Sequence, residues 1–404
     1  QLVSPPEHAM KFHRLNFLED HARSILRFYE PIVLDKCGGF FHNFQDDGSI
    51  FDKKSRHLVS STRFVFNYAE AYRRGLGDHY CEWVRHGLQF LEEVHLRPGT
   101  NQYAWQVGLV RDETVYAYGH AFVLLAHAKA YSIGESDSIL RLRSVDQFLL
   151  DQFFEPENAA FADERSADLA ELSPYRGQNA NMHLCEAYIA AYDATADSDF
   201  LLRAQRLAKR FAADLAASAG GLIWEHYHSD WSIDWDYNRD KPGDLFKPWG
   251  FQPGHQVEWA KLLLQLNEIE SDEWYLGKAS ELFDLAMEHG WDSDFGGIVY
   301  GFAPDGSFAD DHKYFWVHAE AFAAAYRLYV ATNDKKYLAW YERIWAYSWE
   351  YLIDHVHGAW FRIRDRQGQA IDNLKSPMGK VDYHTLGACW DVIDQIKINV
   401  PAHR

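Results

Sequence analysis

The 404-residue chain carries 40 basic and 59 acidic side chains, a formal charge of −19, which disfavours nucleic acid and anionic membrane as partners because phosphate is held by clustered Lys and Arg. Hydrophobic residues make up 47% and aromatics 16%, enough for a substantial core, and no apolar run approaches the roughly twenty residues of a membrane span. The four cysteines, Cys37, Cys81, Cys185 and Cys389, form no CxxC pair, which argues against a zinc ribbon or thioredoxin-type site and for reduced thiols in the cytoplasm.

Residues 8–34 read as a first helix, with Phe12, Leu15, Leu18, Ile25, Leu26 and Phe28 at apolar positions. Cys37 to Gly48 follows with Gly-Gly, aromatics and then Asp-Gly, which is hairpin chemistry. Helices are predicted over 60–74 and 78–96. The plan then recurs. An irregular segment from Asn101 leads into helix 114–132, and one from Phe154 to Leu172 leads into helix 178–196. A third, starting at Gly220 and the longest, ends where Pro253-Gly254-His255 opens a helix. Phe295-Gly296-Gly297 precedes helix 312–331, and His357-Gly358 precedes helix 380–396. Successive copies start about 60 to 75 residues apart, and turns such as Gly77-Asp78 and Thr332-Asn333-Asp334 supply N-caps for the helices that follow.

A recurring helix pair builds a closed or solenoidal array. Twelve helices in six pairs predict an all-α fold, an (α/α)6 barrel of six inner and six outer helices with short β-hairpin loops at one end. An open α-solenoid is the alternative. No domain boundary is visible, so residues 1–404 read as a single domain, expected as a monomer or homodimer.

Polar residues collect in the first turns of the even helices: Arg63; Tyr118 and His120; Asn179, His183 and Glu186; His255 and Glu258; Trp316, His318 and Glu320; Tyr383 and His384. If these helices form the inner ring, their N-termini converge at one mouth, where Arg63, His120, His183, His255, Glu320 and His384 line one cleft. His255 and Glu258 are three residues apart and share a helix face. The positive helix N-terminus lowers the proton affinity of an imidazole there, which suits a general base. A metal site is disfavoured: H-E-x-x-H is absent, and di-iron bundles use Glu-x-x-His, the reverse order. A glycosidase would use two opposed carboxylates, Glu258 and Glu320 among the candidates, and would leave the histidines unexplained. Proton transfer next to a carbonyl needs a near-neutral base, a partner acid and a donor for the growing oxyanion. His255, His384 and Arg63 supply these without metal or other cofactor. A non-catalytic sugar-binding module is the remaining alternative.

At these residues the chain resembles the N-acylglucosamine 2-epimerase superfamily over essentially its whole length. The stretches that carry the resemblance are Ser61-Thr62-Arg63, Tyr118 to Phe122, Asn179 to Ala187, Pro253 to Trp259, Trp316 to Glu320 and Asp382-Tyr383-His384. It implies an (α/α)6 barrel and cofactor-free epimerisation or aldose–ketose isomerisation of a reducing sugar. Around the last histidine, Gly379-Lys380-Val381-Asp382-Tyr383-His384-Thr385 is similar to the branch of mannose and sulfoquinovose isomerases. It departs from the Trp-Lys-Cys-Pro-Tyr-His-Asn pattern of cellobiose 2-epimerases. The resemblance therefore implies a small-molecule monosaccharide, D-mannose going to D-fructose, with D-lyxose second. A sugar 2-epimerase on the same site is the alternative. Implied roles are ring opening for His183, hydroxyl binding for Tyr118, His120 and Asn179, and removal of the C2 proton by His384. Arg63 would hold the enediolate charge, and His255, oriented by Glu258, would move a proton between O1 and O2. Glu320 would hold another member of the set, and Trp316 would stack on the sugar. Loops 156–176 and 226–249 are expected to set the pocket size.

Overall fold

The computed structural model describes residues 12–399. Its helices are α1 (Leu15–Tyr29), α2 (Leu58–Arg73), α3 (Tyr80–Phe90), α4 (Ala117–Ser132), α5 (Ser138–Gln152), α6 (Gln178–Thr195), α7 (Ser198–Ala208), α8 (Pro253–Ile269), α9 (Glu273–Gly290), α10 (Phe315–Thr332), α11 (Lys335–Tyr351) and α12 (Tyr383–Asn399). α3 and α7 run on into wider π-helical turns, Leu91–His95 and Lys209–Leu215.

Two kinds of helix alternate. The even ones are apolar nearly all round; α4 buries most of its length from Ala117 to Ala130, as a helix enclosed on every side must. The odd ones, such as α1, bury one stripe: Leu18, Ala22, Ile25, Leu26 and Tyr29. The even helices stand side by side from α2 to α12, and α12 packs on α2. That last contact closes the ring and rules out the open solenoid. α3, α5, α7, α9 and α11 each pack on the inner helix before them, while α1 covers α12. The sixth pair is thus made from opposite ends of the described chain.

Helix limits differ from the sequence-based ones for local reasons. The first helix is shorter than 8–34, and residues 8–11 lie outside the described ones. α4 and α10 start later than expected because Val115–Tyr116 and Lys313–Tyr314 are strands. α12 starts later because Val381 (φ 36°) and Asp382 (φ 57°) adopt left-handed backbone, which a β-branched residue such as Val381 rarely does. Asp382 is pinned there by Tyr29 Oη, by Lys380 Nζ at 2.8 Å and by Thr385 Oγ1 at 2.8 Å.

The strands are more than isolated hairpins. Hairpins do form, for example Asn43–Gln45 with Ile50–Asp52. The strand that feeds each inner helix, however, pairs with the next repeat: Arg56–His57 with Gln106–Val107, Val115–Tyr116 with Glu164–Arg165, Arg176–Gly177 with His226–Tyr227, and Lys313–Tyr314 with Ile363–Arg364. Phe251 bridges Phe302, and Leu374–Ser376 returns to Asn43–Gln45. These ladders ring the mouth at the N-terminal ends of the inner helices.

In five of the six inner helices, α2 to α10, a side chain about one turn in ties the helix to that rim. His120 Nε2 accepts from Tyr103 N (3.1 Å), and its Nδ1 donates to Tyr116 O (2.7 Å). His318 does the same with Ile298 N (2.9 Å) and Tyr314 O (2.7 Å). Asn181 accepts from Phe161 N (2.8 Å) and donates to Gly177 O (2.8 Å), and Gln256 bonds both backbone groups of Ile223 at 2.9 Å. In α2 the place belongs to Ser61, 2.9 Å from His95 Nε2. The His120, His318, Asn181 and Gln256 latches satisfy buried backbone groups that water cannot reach, while Ser61 acts through His95, whose Nδ1 bonds Ala104 O. Cys37, Cys81, Cys185 and Cys389 are unpaired thiols. Among the described residues no helix is long and apolar enough to cross a membrane.

Candidate active site

The latches set the register of what faces the barrel axis. Side chains two positions either side of a latch are four apart and so share one face. Tyr118, Asn179 and Trp316 lie two before a latch; Arg63, His183, Glu258 and Glu320 lie two after. Together with His255 and His384 they gather at the mouth. One cavity there is lined by Arg63, Tyr118, Asn179, His183, His255, Glu258, Trp316 and His384, eight of the ten residues expected from the sequence. Phe246, Tyr300, Arg362, Met378 and Lys380 complete its wall.

Three imidazoles in this cavity each meet a carboxylate. His384 Nδ1 lies 2.8 Å from Glu320 Oε1. His255 Nδ1 is bonded to Glu225, and Gln178 Nε2 approaches the same nitrogen at 3.0 Å. His183 Nδ1 lies 3.5 Å from Glu186 Oε1, and that carboxylate also accepts from Tyr383 Oη at 2.6 Å. A carboxylate on Nδ1 fixes the tautomer and leaves Nε2 to act. Nε2 of His255 and of His384 has no protein partner among the described residues. The Trp316 ring neighbours both of these histidines, 5.1 Å from His255 and 5.4 Å from His384 between centroids. Gly254 makes room for that ring: an added Cβ would fall 2.4 Å from it.

Arg63 is buried, with its guanidinium 4.5 Å above Phe122 and 4.6 Å from the Tyr383 ring centre. It donates to Gly379 O and, at 3.3 Å, to Tyr118 Oη. Burial pushes the Tyr118 phenol up to about 12, so it stays protonated.

Burial sets His384 down to about 4, against the pull of Glu320, so it is a neutral imidazole at physiological pH. Burial alone would raise Glu320, yet Lys261 and His384 outweigh it and hold the carboxyl at about 2. Glu258 goes the other way. Burial, reinforced by the charge on Glu320, raises it well above the ordinary carboxylate range. Its Oε1 is buried without a protein partner, so it is suited to donate as a neutral acid. Asn179 likewise has a buried, unpartnered Oδ1.

Glu258, Glu320 and His384 bring donor atoms within 4.8 Å of one another, the spacing of a metal site. Lys261 Nζ already sits 2.5 Å from Glu320 Oε2 and fills the cationic position, while Glu258 favours its protonated form. A glycosidase pair fits no better, because both oxygens of Glu320 are engaged, by Lys261 and His384, and Glu320 does not line the cavity at the mouth.

The model of the N-acylglucosamine 2-epimerase (GlcNAc 2-epimerase) family matches residues 39–388. The chain belongs to this family. It is 48% identical over 390 residues to the D-mannose isomerase of Marinomonas mediterranea, covering 96% of this chain and 99% of that protein. A crystal structure of D-mannose isomerase superposes with a TM-score of 0.93 at 48% identity, covering 97% of this chain and all of that one (100%). Cellobiose 2-epimerase from Bacillus thermoamylovorans B4167 shares the fold, with a TM-score of 0.83 at 20% identity over 94% of this chain and 99% of that one.

Within this member of the 2-epimerase family, three expectations need correction. His120 is not in the cavity. Both its nitrogens are used as a latch, like those of His318, so the four first-turn histidines are not equivalent. Glu258 does not orient His255; the shared helix face holds, but the His255 Nδ1 atom is bonded to Glu225, on the rim segment before His226–Tyr227. Glu320 touches His384 rather than the cavity itself. Of the two loops expected to set the pocket, 226–249 contributes Leu245 and Phe246, and 156–176 contributes no lining residue. Glu225 was findable from the repeat. Glu225 and Tyr300 each stand two residues after the backbone group that a latch binds; Tyr300 lines the cavity and Glu225 meets His255.

Proposed function

We propose that the chain is a cofactor-independent aldose–ketose isomerase that interconverts D-mannose and D-fructose, and D-lyxose and D-xylulose more slowly. The observation that carries this reading is the meeting of His255 and His384 in one cavity, both against Trp316, each with a carboxylate on Nδ1 and a free Nε2. The 48% identity to a D-mannose isomerase along nearly its full length supports the choice of sugar.

His183, backed by Glu186, assists ring opening, because only the open chain has an acidic C2 proton. His384 Nε2 takes that proton, and the electron pair moves into a C1–C2 double bond as the carbonyl at C1 becomes an enediolate oxygen. Arg63, with Tyr118 at its side, stabilises the negative charge. A proton passes from O2 to O1 by way of His255, with neutral Glu258 as a further donor. His384 then returns its proton to C1, giving the ketose, and no atom is gained or lost. Asn179 Oδ1 accepts from a sugar hydroxyl, and the indole of Trp316 covers an apolar face of the chain. If His255 instead delivers a proton at C2 from the opposite face, the product is the C2 epimer.

Incubation with mannose in D2O, followed by proton NMR, tests the reading. Fructose is the expected main product, with activity unchanged by EDTA. Glucose as the main product would replace isomerase by 2-epimerase; no reaction with mannose, lyxose or fructose would overturn the proposal.

A further inference from the structure

Lys261 lies one turn beyond Glu258 on α8 and is buried. It does not reach the sugar cavity. It lines a second cavity at the opposite end of the barrel, between the C-terminal halves of the inner helices. Most charges there are closed into pairs: Arg327 with Asp391 and Glu268, and Arg74 with Asp394. The partner of Lys261 is different. Its Nζ is 2.5 Å from Glu320 Oε2, and the other oxygen of that carboxylate meets His384 Nδ1 at 2.8 Å. A line of contacts therefore runs from the rear of the barrel to the imidazole that faces the sugar.

Charge balance shows what the line does. Around Lys261 stand Glu258 on α8, Glu320 on α10, Glu186 on α6 and Asp391 on α12. Around His384 stand Glu320, Arg63 on α2 and His183 on α6. α7 and α9 send no residue into the cavity that Lys261 lines. With Glu258 protonated, Lys261 and Glu320 cancel, and His384 can remain neutral. Without the ammonium, a buried negative charge would be left over, and burying one is costly. The set would then recruit a proton from solvent, on His384 or on Glu320. A protonated His384 cannot act as a base; a protonated Glu320 no longer draws on Nδ1–H or stabilises the imidazolium formed in the reaction.

We propose that Lys261 is a positioning residue that acts from behind Glu320 to keep His384 an unprotonated base with its Nδ1–H held on the carboxylate. It is outside the cavity, so it acts on turnover and not on sugar affinity. This rests on the isomerase reading above, and deepens it. The retained cationic state of Lys261 is consistent: burial would lower its ammonium, but the surrounding carboxylates, Glu320 foremost, together outweigh burial and raise it.

The test compares full-length wild type, Lys261→Met and Lys261→Arg, with the pH dependence of kcat and KM for mannose. In Lys261→Met the acid limb of kcat should move up by about one pH unit or more, a roughly tenfold loss on its acid side. Turnover should recover at higher pH, with KM within about twofold of wild type, since uniform binding is untouched. Lys261→Arg should restore the limb. A limb that stays in place in a folded Lys261→Met, or a loss spread evenly over all pH, overturns the proposal. Should Lys261→Met not fold, Lys261→Gln and Lys261→Arg give the same comparison. Titration of the His384 ring by 15N NMR in each protein reads the charge effect without turnover. A wild type inert toward mannose would sink the isomerase reading, whereas an unmoved His384 titration would sink this one.

Discussion

At His384 one ring nitrogen is committed to Glu320 and the other has no protein partner among the described residues. Asn can replace the first interaction and not the second. His384→Asn should therefore lose roughly a hundred- to ten-thousandfold in kcat with helical circular dichroism intact. Glu225→Gln should cost at least about tenfold, because the amide can no longer stabilise a charged His255 or impose its tautomer. Retention of more than about a tenth of wild-type turnover by His384→Asn would remove its role as base. Glu225 is the residue that sequence reasoning lost. Its partner is thirty positions away, on another element, whereas Glu258 is one helical turn from His255 and so was the local candidate.

The helix openings were legible as a repeated pattern, but not in register. Gly-Gly marked the rim segments at 38–39, 220–221 and 296–297, Asp-Gly the turns at 47–48 and 305–306, and apolar runs marked each helix, because those residue types are demanded by local backbone. Which first-turn residue turns toward the rim and which toward the axis depends on packing between repeats. Hence His120, a rim latch, was grouped with His183, an axial residue two positions out of phase with it. Phe246 and Leu245 were out of reach for another reason: their loop has no periodicity to read. A pair of variants separates the two kinds of position. His120→Ala strands the Tyr103 N–H and opens a void; it should lower stability by about 2–4 kcal/mol in denaturant melts while kcat per folded molecule stays near wild type. Gly254→Ala should do the reverse, displacing Trp316 and cutting kcat with a smaller change in stability. If His120→Ala loses turnover as severely as His384→Asn, the latch assignment is wrong.

Across the whole molecule, closure and burial together create a dependence on acidity. The ring encloses imidazoles that burial holds far below the usual histidine range: His21, His95, His120 and His384 at about 4, His57 and His318 at about 3. Each stays neutral when folded and takes a proton near the ordinary histidine value of 6.5 once unfolded. Between pH 6.5 and about 4 the unfolded chain thus binds more protons, so stability falls as pH falls through that window. Raised carboxyls, Asp163 and Glu258 with Asp46, Asp146, Asp193 and Asp310, work in the opposite sense but are outnumbered once the lowered His42, His183 and His226 are added. Thermal melts should show the melting temperature dropping already below about pH 6.5, before ordinary carboxylates titrate. A melting temperature flat from pH 7 to pH 5 would mean that these rings are solvated or charged in the folded protein.

The seam between α12 and α2, with α1 laid over it, also orders events in time. Translation delivers Arg63 early and His384 late. A nascent chain halted ahead of α12 would hold an unfinished wall, its flanks on α10 and α2 bare and oily, and no proton acceptor for sugar carbon. The cavity is whole only after the last staves meet the first, so a chain cut before α12 should show no turnover at all.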